Sequence, residues 1–161
     1  MIADVEPLLA TAVSEVFTKM LDLPVTQEPL SRPPDPGEFH MAGAVGFIGA
    51  SSGVVYLYLH KALARRLACR LLRLEDAEIE SEAMVNDSIG ELANMIVGQV
   101  KSQLEDRGHS FVLTIPSIVR GSHFTIEPVS TTERLVMHFR TGEGLLLLEV
   151  LFKPAPQAMA A

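Results

Sequence analysis

Five polar or small residues recur at helical spacing and form one narrow stripe on a predicted helix. We call this set the polar stripe: Asp87, Glu91, Asn94, Gly98 and Lys101. At about 100° per residue they lie within roughly 80° of one another, and the apolar residues between them centre on the opposite side. Asn in a helix interior costs several tenths of a kcal/mol relative to Ala, and Gly costs about 1 kcal/mol. The pattern therefore favours a partner that docks on an exposed stripe.

The residue types in the polar stripe can perform a limited chemistry. An exposed Asn94 offers an acceptor and two donors, so it can hold a water molecule in one orientation, but it cannot act as a general base. Glu91, one turn earlier, can pair with a lysine of a partner. Such positioning suits hydrolysis of an activated bond such as an acyl phosphate. Gly98 would allow a partner's backbone to approach closely. Spacing alone leaves an ordinary solvated helix face as the alternative.

The sequence lacks the common nucleotide-binding and metal motifs, since it has no GxxxxGK, GxGxxG or HExxH, and the run Gly49-Ala-Ser-Ser-Gly53 is interpreted as a hairpin turn between two strands. Of five scattered histidines, His123 and His138 fall on candidate neighbouring strands. A structural pair or surface exposure is favoured there over a metal site, because no third ligand is evident. The acidic residues between Glu75 and Glu82 are interpreted as a solvated connector before a helix, which the helix dipole favours. We predict no metal site.

Composition and charge restrict the class of protein. The chain has 161 residues, of which 48% are apolar, and a formal net charge of −7 with a pI near 5.2. This balance argues against nucleic acid or an anionic membrane as the partner. The single cysteine, Cys69, is interpreted as a small buried apolar residue in a reducing compartment. With no basic leader and no apolar stretch of roughly 18–20 residues, we expect a cytoplasmic protein.

The order of predicted elements is α, β, β, α, α, β, β, β, β. Helices are predicted over residues 5–23, 61–74 and 80–106, the last capped by Gly108. Strands are predicted over residues 39–48, 53–59, 110–114, 121–128, 134–140 and 145–153. This order predicts an α+β fold, with a largely antiparallel β-sheet covered by helices on one face. We expect residues 1–153 to form a single domain and residues 154–161 to form a disordered C-terminal tail.

Three further features concern the arrangement of these elements. The proline-rich segment 24–37 is predicted as an extended loop. Strand 53–59 is apolar on both faces, which places it in the centre of the sheet. The first helix carries a looser echo of the polar stripe, because Thr11, Glu15 and Thr18 repeat the spacing of its first three residues. This echo suggests a duplicated half-domain.

The run Asp87-x-x-x-Glu91-x-x-Asn94, followed by Pro116, resembles the signature of the CheC/CheX/FliY chemotaxis phosphatases. Here 21 residues separate Asn94 from Pro116, one fewer than the signature has. The order of elements is also similar over most of the chain, from Val5 to Phe152, and the surroundings of the motif are closest to CheX.

The resemblance implies a function and gives roles to individual residues. It implies dephosphorylation of the phospho-aspartate on a CheY-like response regulator, with Asn94 orienting the hydrolytic water and Glu91 contacting the regulator's conserved lysine. These two are the expected catalytic residues. The Mg²⁺ of that reaction belongs to the regulator, so the chain is expected to have no cofactor of its own. The expected partner-binding residues are Asp87, Gly98, Lys101 and Pro116.

The resemblance also bears on symmetry and assembly. It implies a CheC/CheX-like fold with pseudo-symmetric halves. Only the half with the polar stripe is expected to carry an active helix, because the first helix has Thr18 at the position where the signature has Asn. It implies a homodimer, and the apolar strand Leu145–Phe152 would suit a protected edge or an interface. The alternative function is a non-catalytic CheX-like binding module for a response regulator or another signalling protein. The sequence does not identify which regulator is served.

Overall fold

The computed structural model describes residues 2–29, 38–129 and 132–154. Within these ranges it contains three α-helices, α1 (Ile2–Leu21), α2 (Lys61–Leu72) and α3 (Glu82–Glu105). It also contains seven strands, β1 (Val25–Glu28), β2 (Met41–Gly49), β3 (Ser52–Leu59), β4 (Phe111–Leu113), β5 (Ser117–Arg120), β6 (Glu133–Thr141) and β7 (Gly144–Lys153). A short 3₁₀ turn, Asp76–Glu78, precedes α3. None of the helices in these ranges is both long and apolar enough to cross a bilayer.

The seven strands form one sheet in the order β1-β6-β7-β3-β2-β4, and β5 pairs with β2 beside β4. Every strand pair is antiparallel. The three helices pack against each other and against one face of the sheet, where alternate strand residues such as Val45, Leu57 and Leu148 join the main core. This confirms the predicted α+β class and the antiparallel sheet.

Strand β3 lies in the centre of the sheet, as predicted from its apolar residues on both faces. Successive side chains of a strand point to opposite faces. Val55 and Leu57 therefore face the helices, whereas Tyr58 faces the other side and joins a second, smaller core with Phe39 and Leu147. Because neither face of β3 is solvated, the strand reads as a nearly continuous apolar run.

Helix α3 has clear signals at both ends. The side chain of Ser81, the N-cap residue, accepts a hydrogen bond from the backbone N–H of Met84 at 3.4 Å. Beyond the other end, Gly108 adopts φ +87°, and the next residue, His109, donates its N–H to the carbonyl of Leu104 at 2.9 Å. Glycine tolerates that left-handed conformation without steric cost. The predicted cap at Gly108 is therefore confirmed.

The prediction of a loop throughout residues 24–37 is wrong in its first part. Residues 25–28 form strand β1, which pairs with β6 from Val25 opposite Thr141 to Glu28 opposite His138. The prolines at positions 24 and 29 bracket this strand without entering it, and an edge strand needs only one bonded side. Residues 30–37 lie outside the described residues.

A strand over residues 121–128 was predicted, and it does not form. Instead, Ser117–Arg120 pairs with β2 as β5, and the residues after it cross the face of the sheet that lies opposite the helices. There the ring of Phe124 stacks on Tyr58 with centroids 6.2 Å apart. The alternating apolar residues of segment 121–128 are therefore explained by packing against a sheet face and not by strand pairing. His123, with φ +60°, therefore lies outside any strand, whereas His138 is on β6.

Strand β7 is in the middle of the sheet, so the expectation that it forms a protected edge is wrong. It is paired along its length with β3 on one side and β6 on the other. Its Glu149 is fully buried and accepts hydrogen bonds from the Tyr58 hydroxyl at 2.9 Å and from Arg134 Nε at 2.5 Å. Burial and the Glu149 carboxylate both raise the pKa of Tyr58. The predicted C-terminal tail lies outside the described residues beyond Pro154.

The Tyr58–Glu149 hydrogen bond is testable by removing one oxygen atom. We expect Tyr58→Phe to lower the free energy of unfolding by about 1.5–3 kcal/mol, because a buried carboxylate loses a donor. Tyr56→Phe is the matched control on the same strand face, with an expected change within about 0.5 kcal/mol. Urea unfolding followed by circular dichroism gives both values. Equal effects of the two substitutions would show that the bond to Glu149 is not what stabilises Tyr58.

Candidate functional site

The polar stripe lies on the outer face of α3. Asp87 and Glu91 are exposed, and Asn94, Gly98 and Lys101 are half-buried. The residues on the opposite side of the helix are fully buried in the main core, namely Ile89, Leu92 and Ile96. The outward orientation predicted from helical periodicity is confirmed, and all five residues share one accessible surface.

The position of α3 depends on a glycine in the strand beneath it. A Cβ atom on Gly43 of β2 would lie 3.2 Å from Ile89 Cγ2 and 3.4 Å from Ala93 Cβ. The missing side chain lets the helix approach the sheet closely, which fixes the height of the polar stripe above β2. Gly43 is not among the residues predicted from the sequence, although a glycine inside a strand often marks close approach of another backbone.

Pro116 lies beside the polar stripe, although 21 residues separate it from Asn94. A Cβ atom on Gly90 would lie 3.6 Å from Pro116 Cβ, so the proline packs against the flank of α3 next to Glu91. The structure thus brings Pro116 together with the stripe in space. The segment between β4 and β5 forms one wall of the candidate site.

The side chains of Glu91 and Asn94 are available to a partner. Within the described part of the chain, neither makes a hydrogen bond or an ion pair with another residue. Gly98 is open as well, because no described atom beyond the adjoining backbone of α3 lies within 4 Å of the position that a Cβ would occupy. The protein's own packing therefore does not explain a glycine at position 98 of the helix.

Lys101 differs from the rest of the stripe because it is already paired. Its Nζ contacts Glu105 one turn later on the same helix. The lysine also borders an apolar cavity of about 170 Å³ that is lined in part by Val97, Val100 and Leu113. Lys101 therefore marks the end of the stripe and is not a free cation at its centre.

The echo of the stripe on α1 is engaged within the protein. Glu15 accepts a hydrogen bond from Gln99 of α3 and lies 3.8 Å from Lys19. Thr18, one turn further on, is exposed. The carboxylate of Glu15 on α1 is therefore bonded to α3, whereas the carboxylate of Glu91 has no such contact among the described residues.

Cationic side chains from several elements gather near the first turn of α3. Lys61 Nζ lies 3.4 Å from Glu82, and Arg120 NH1 lies 3.7 Å from the same carboxylate. Arg120 Nε also donates to the amide oxygen of Asn86, and Arg65 and His40 line the same open pocket. Arg65 is itself paired with Asp76, so the cluster is a network of ion pairs. It could not be predicted from the sequence because its members are far apart in the chain.

Neither the histidines nor the cysteine form a metal or thiol centre in the described ranges. No group of three or more His, Cys, Asp or Glu side chains there is arranged to hold a metal ion. Cys69 is half-buried against the main core, and not fully buried as predicted. Burial raises the pKa of its thiol, and the Asp76 carboxylate raises it further, so the thiol stays protonated near neutral pH.

The open surroundings of Gly98 are testable by stability. We expect Gly98→Ala to raise the free energy of unfolding by about 0.5–1 kcal/mol, because alanine favours the helix and meets no clash. Gly43→Val is the contrasting variant, with an expected loss of about 1–3 kcal/mol from overpacking beneath α3. Chemical unfolding measures both. A destabilised Gly98→Ala protein would show that this position is packed and not open.

Comparison with protein families gives one match. The family model described as chemotaxis phosphatase CheX matches residues 41–140, which include the whole polar stripe and Pro116. No curated protein matches the chain at significant similarity.

Solved structures share the fold across nearly the whole chain. The chemotaxis protein CheX from Desulfovibrio desulfuricans superimposes with a TM-score of 0.81 at 22% identity, covering 93% of this chain and 99% of that one. A CheX–CheY–BeF₃–Mg²⁺ complex from Borrelia burgdorferi gives 0.75 at 22% identity, covering 92% and 97%. FliY from Thermotoga maritima gives 0.63 at 13% identity, covering 96% and 88%.

Proposed function

Since the chain belongs to the CheX family of chemotaxis phosphatases, we propose that it hydrolyses the phospho-aspartate of a CheY-like response regulator. One observation carries the proposal: Glu91 and Asn94 stand one turn apart on the outer face of α3, and neither is used by the described part of the fold. The choice of partner is supported by the Borrelia burgdorferi complex, in which a CheX is bound to CheY.

Asn94 orients the attacking water in this proposal. Its amide oxygen can accept a hydrogen bond from the water and its NH2 group can donate one to a neighbouring oxygen, which fixes the direction of attack without removing a proton. Phosphoryl transfer asks little covalent chemistry of the protein, so positioning is its main contribution. Asn94 is half-buried on a helix seated on Gly43. The amide therefore enters the reaction from a rigid support.

Glu91 and the remaining predicted residues hold the regulator. The exposed Glu91 carboxylate pairs with a lysine beside the phospho-aspartate, and Asp87 extends the acidic surface by one turn. Gly98 leaves room for the partner's backbone, since no described atom approaches its Cβ position. Pro116 forms the wall of the site, and Lys101 contacts the partner at the rim. The Mg²⁺ ion enters with the regulator in this proposal, and the chain supplies no cofactor.

We also propose that the chain acts in the cytoplasm as a homodimer. Strand β7 is paired on both sides, so it cannot provide a strand-to-strand interface. Among the described strands, the sheet edges that remain are β1 on one side and β4 with β5 on the other. The β4–β5 edge carries Pro116 at the wall of the site, whereas β1 lies at the other end of the sheet, so a dimer formed through β1 leaves both copies of the site open.

The division of labour between Asn94 and Glu91 predicts different kinetic effects. We expect Asn94→Ala to lower kcat on the order of 100-fold with little change in KM, because the water loses its orientation. Glu91→Ala is expected to raise KM about 10-fold through weaker docking. The measurement is the decay of ³²P-labelled regulator at several regulator concentrations.

Matched controls come from the same helix. Asn86→Ala removes an amide that lies outside the stripe and bonds Arg120, and Glu82→Ala removes a carboxylate from the first turn. Both proteins are expected to retain the parent kcat within a factor of about 2. Circular dichroism checks that each variant keeps its fold. If Asn94→Ala clears the phosphorylated regulator as fast as the parent, the mechanism is wrong. If the unsubstituted protein binds the phosphorylated regulator without shortening the lifetime of its phospho-aspartate, the protein is a binding module.

A further inference from the structure

Ile115 is the most exposed of the large apolar residues in the described part of the chain, at 89%. It lies in the short connection between β4 and β5, directly before Pro116. Single exposed apolar residues are common on protein surfaces and need no explanation by themselves. Ile115 differs from them because it lies along the flank of α3, the helix that carries the polar stripe.

The segment from β4 to β5 runs along the flank of α3 in the opposite direction. Leu113 lines the same cavity as Val97, in the C-terminal half of the helix. Pro116 packs at Gly90, two turns earlier, and Arg120 reaches Asn86 near the helix start. Ile115 falls between the first two of these contacts. The route of the chain therefore carries it along the stretch of α3 between Gly90 and Val97, which includes Asn94.

The connection that carries Ile115 is held at both ends. Thr114 donates its N–H to the carbonyl of Gly46 at 2.9 Å, and its Oγ1 accepts from the N–H of Gly46 at 2.8 Å. On the other side, the ring of Pro116 rests at Gly90. A residue that precedes proline is restricted to extended backbone. Ile115 is thus projected outward from a fixed position.

We propose that Ile115 is an apolar anchor of the regulator-docking surface. In this inference, which rests on the proposed function, its side chain enters an apolar recess beside the phospho-aspartate while Asn94 reaches the attacking water. The polar stripe alone offers exposed charge contacts, which contribute little net affinity in water. Removing a large apolar side chain from water contributes more, and it needs no charge on the partner.

We assign the regulator, and not a second copy of this chain, as the partner that contacts Ile115. Hydrolysis requires a body that covers Asn94, and any such body meets the projecting Ile115 on the adjacent wall. A second copy of this chain docked on Ile115 would cover Asn94 and block the reaction. Ile115 therefore belongs to the surface that recognises the phosphorylated receiver.

The test compares two exposed isoleucines. Ile115→Ala is expected to raise both KM and the Kd for a BeF₃-loaded regulator by about 5- to 30-fold, with kcat unchanged, because it removes apolar contact without touching the reacting water. Ile48→Ala is the matched control, since Ile48 is 57% exposed on β2 and points away from the helices. Its constants are expected to match those of the parent.

The outcomes separate this inference from the proposed function. If Asn94→Ala loses turnover while Ile115→Ala keeps the parent KM and Kd, the inference is overturned and the phosphatase function stands. If the parent neither binds the regulator nor accelerates its dephosphorylation, both are overturned. A change in sedimentation of Ile115→Ala with unchanged KM would assign the residue to self-association and also overturn the inference.

Discussion

The close seating of α3 on the sheet is the constraint on which the rest of the site depends. One side of the helix is completely buried, and Gly43 removes the side chain that would otherwise hold it away from β2. Protein interiors are packed so densely that even one added methylene group disturbs the packing. The height and rotation of α3 above the sheet therefore have little freedom. The outer face, with Glu91 and Asn94, is fixed by contacts made on the inner face. The position of the Asn94 side chain is therefore a consequence of core packing.

The same constraint supports the proposed role of Asn94. Hydrolysis of an acyl phosphate needs a water held in line with the bond, and a group attached to a rigid helix can hold it without a large entropic cost at the moment of reaction. The fold also leaves Glu91 unused: Gln99 of α3 donates a hydrogen bond to Glu15 of α1, whereas Glu91 has no partner among the described residues. The wall formed by Pro116 limits the directions from which a partner can approach Asn94.

The sequence predicted the features that depend on periodicity and failed on those that depend on distant contacts. The outward stripe and the central position of β3 follow from local patterns, so both were predictable. The packing of Pro116 at Gly90 is set by the route of β4 and β5, which an interval of 21 residues does not encode. The strand expected over residues 121–128 failed because alternating apolar residues report burial against a face as well as strand pairing. The burial of Glu149 in a central strand depends on Tyr58 and Arg134 from its two neighbours.

The most direct test of the account is a turnover experiment with substoichiometric protein. Phosphorylated CheY-like regulators from the same cell would be mixed with one-twentieth as much of this chain, and the remaining phospho-aspartate followed over time. The account predicts that at least one regulator loses all of its phosphoryl groups faster than by its own hydrolysis, which requires many turnovers per site. Unchanged or lengthened lifetimes for every regulator would contradict it and leave a module that only binds.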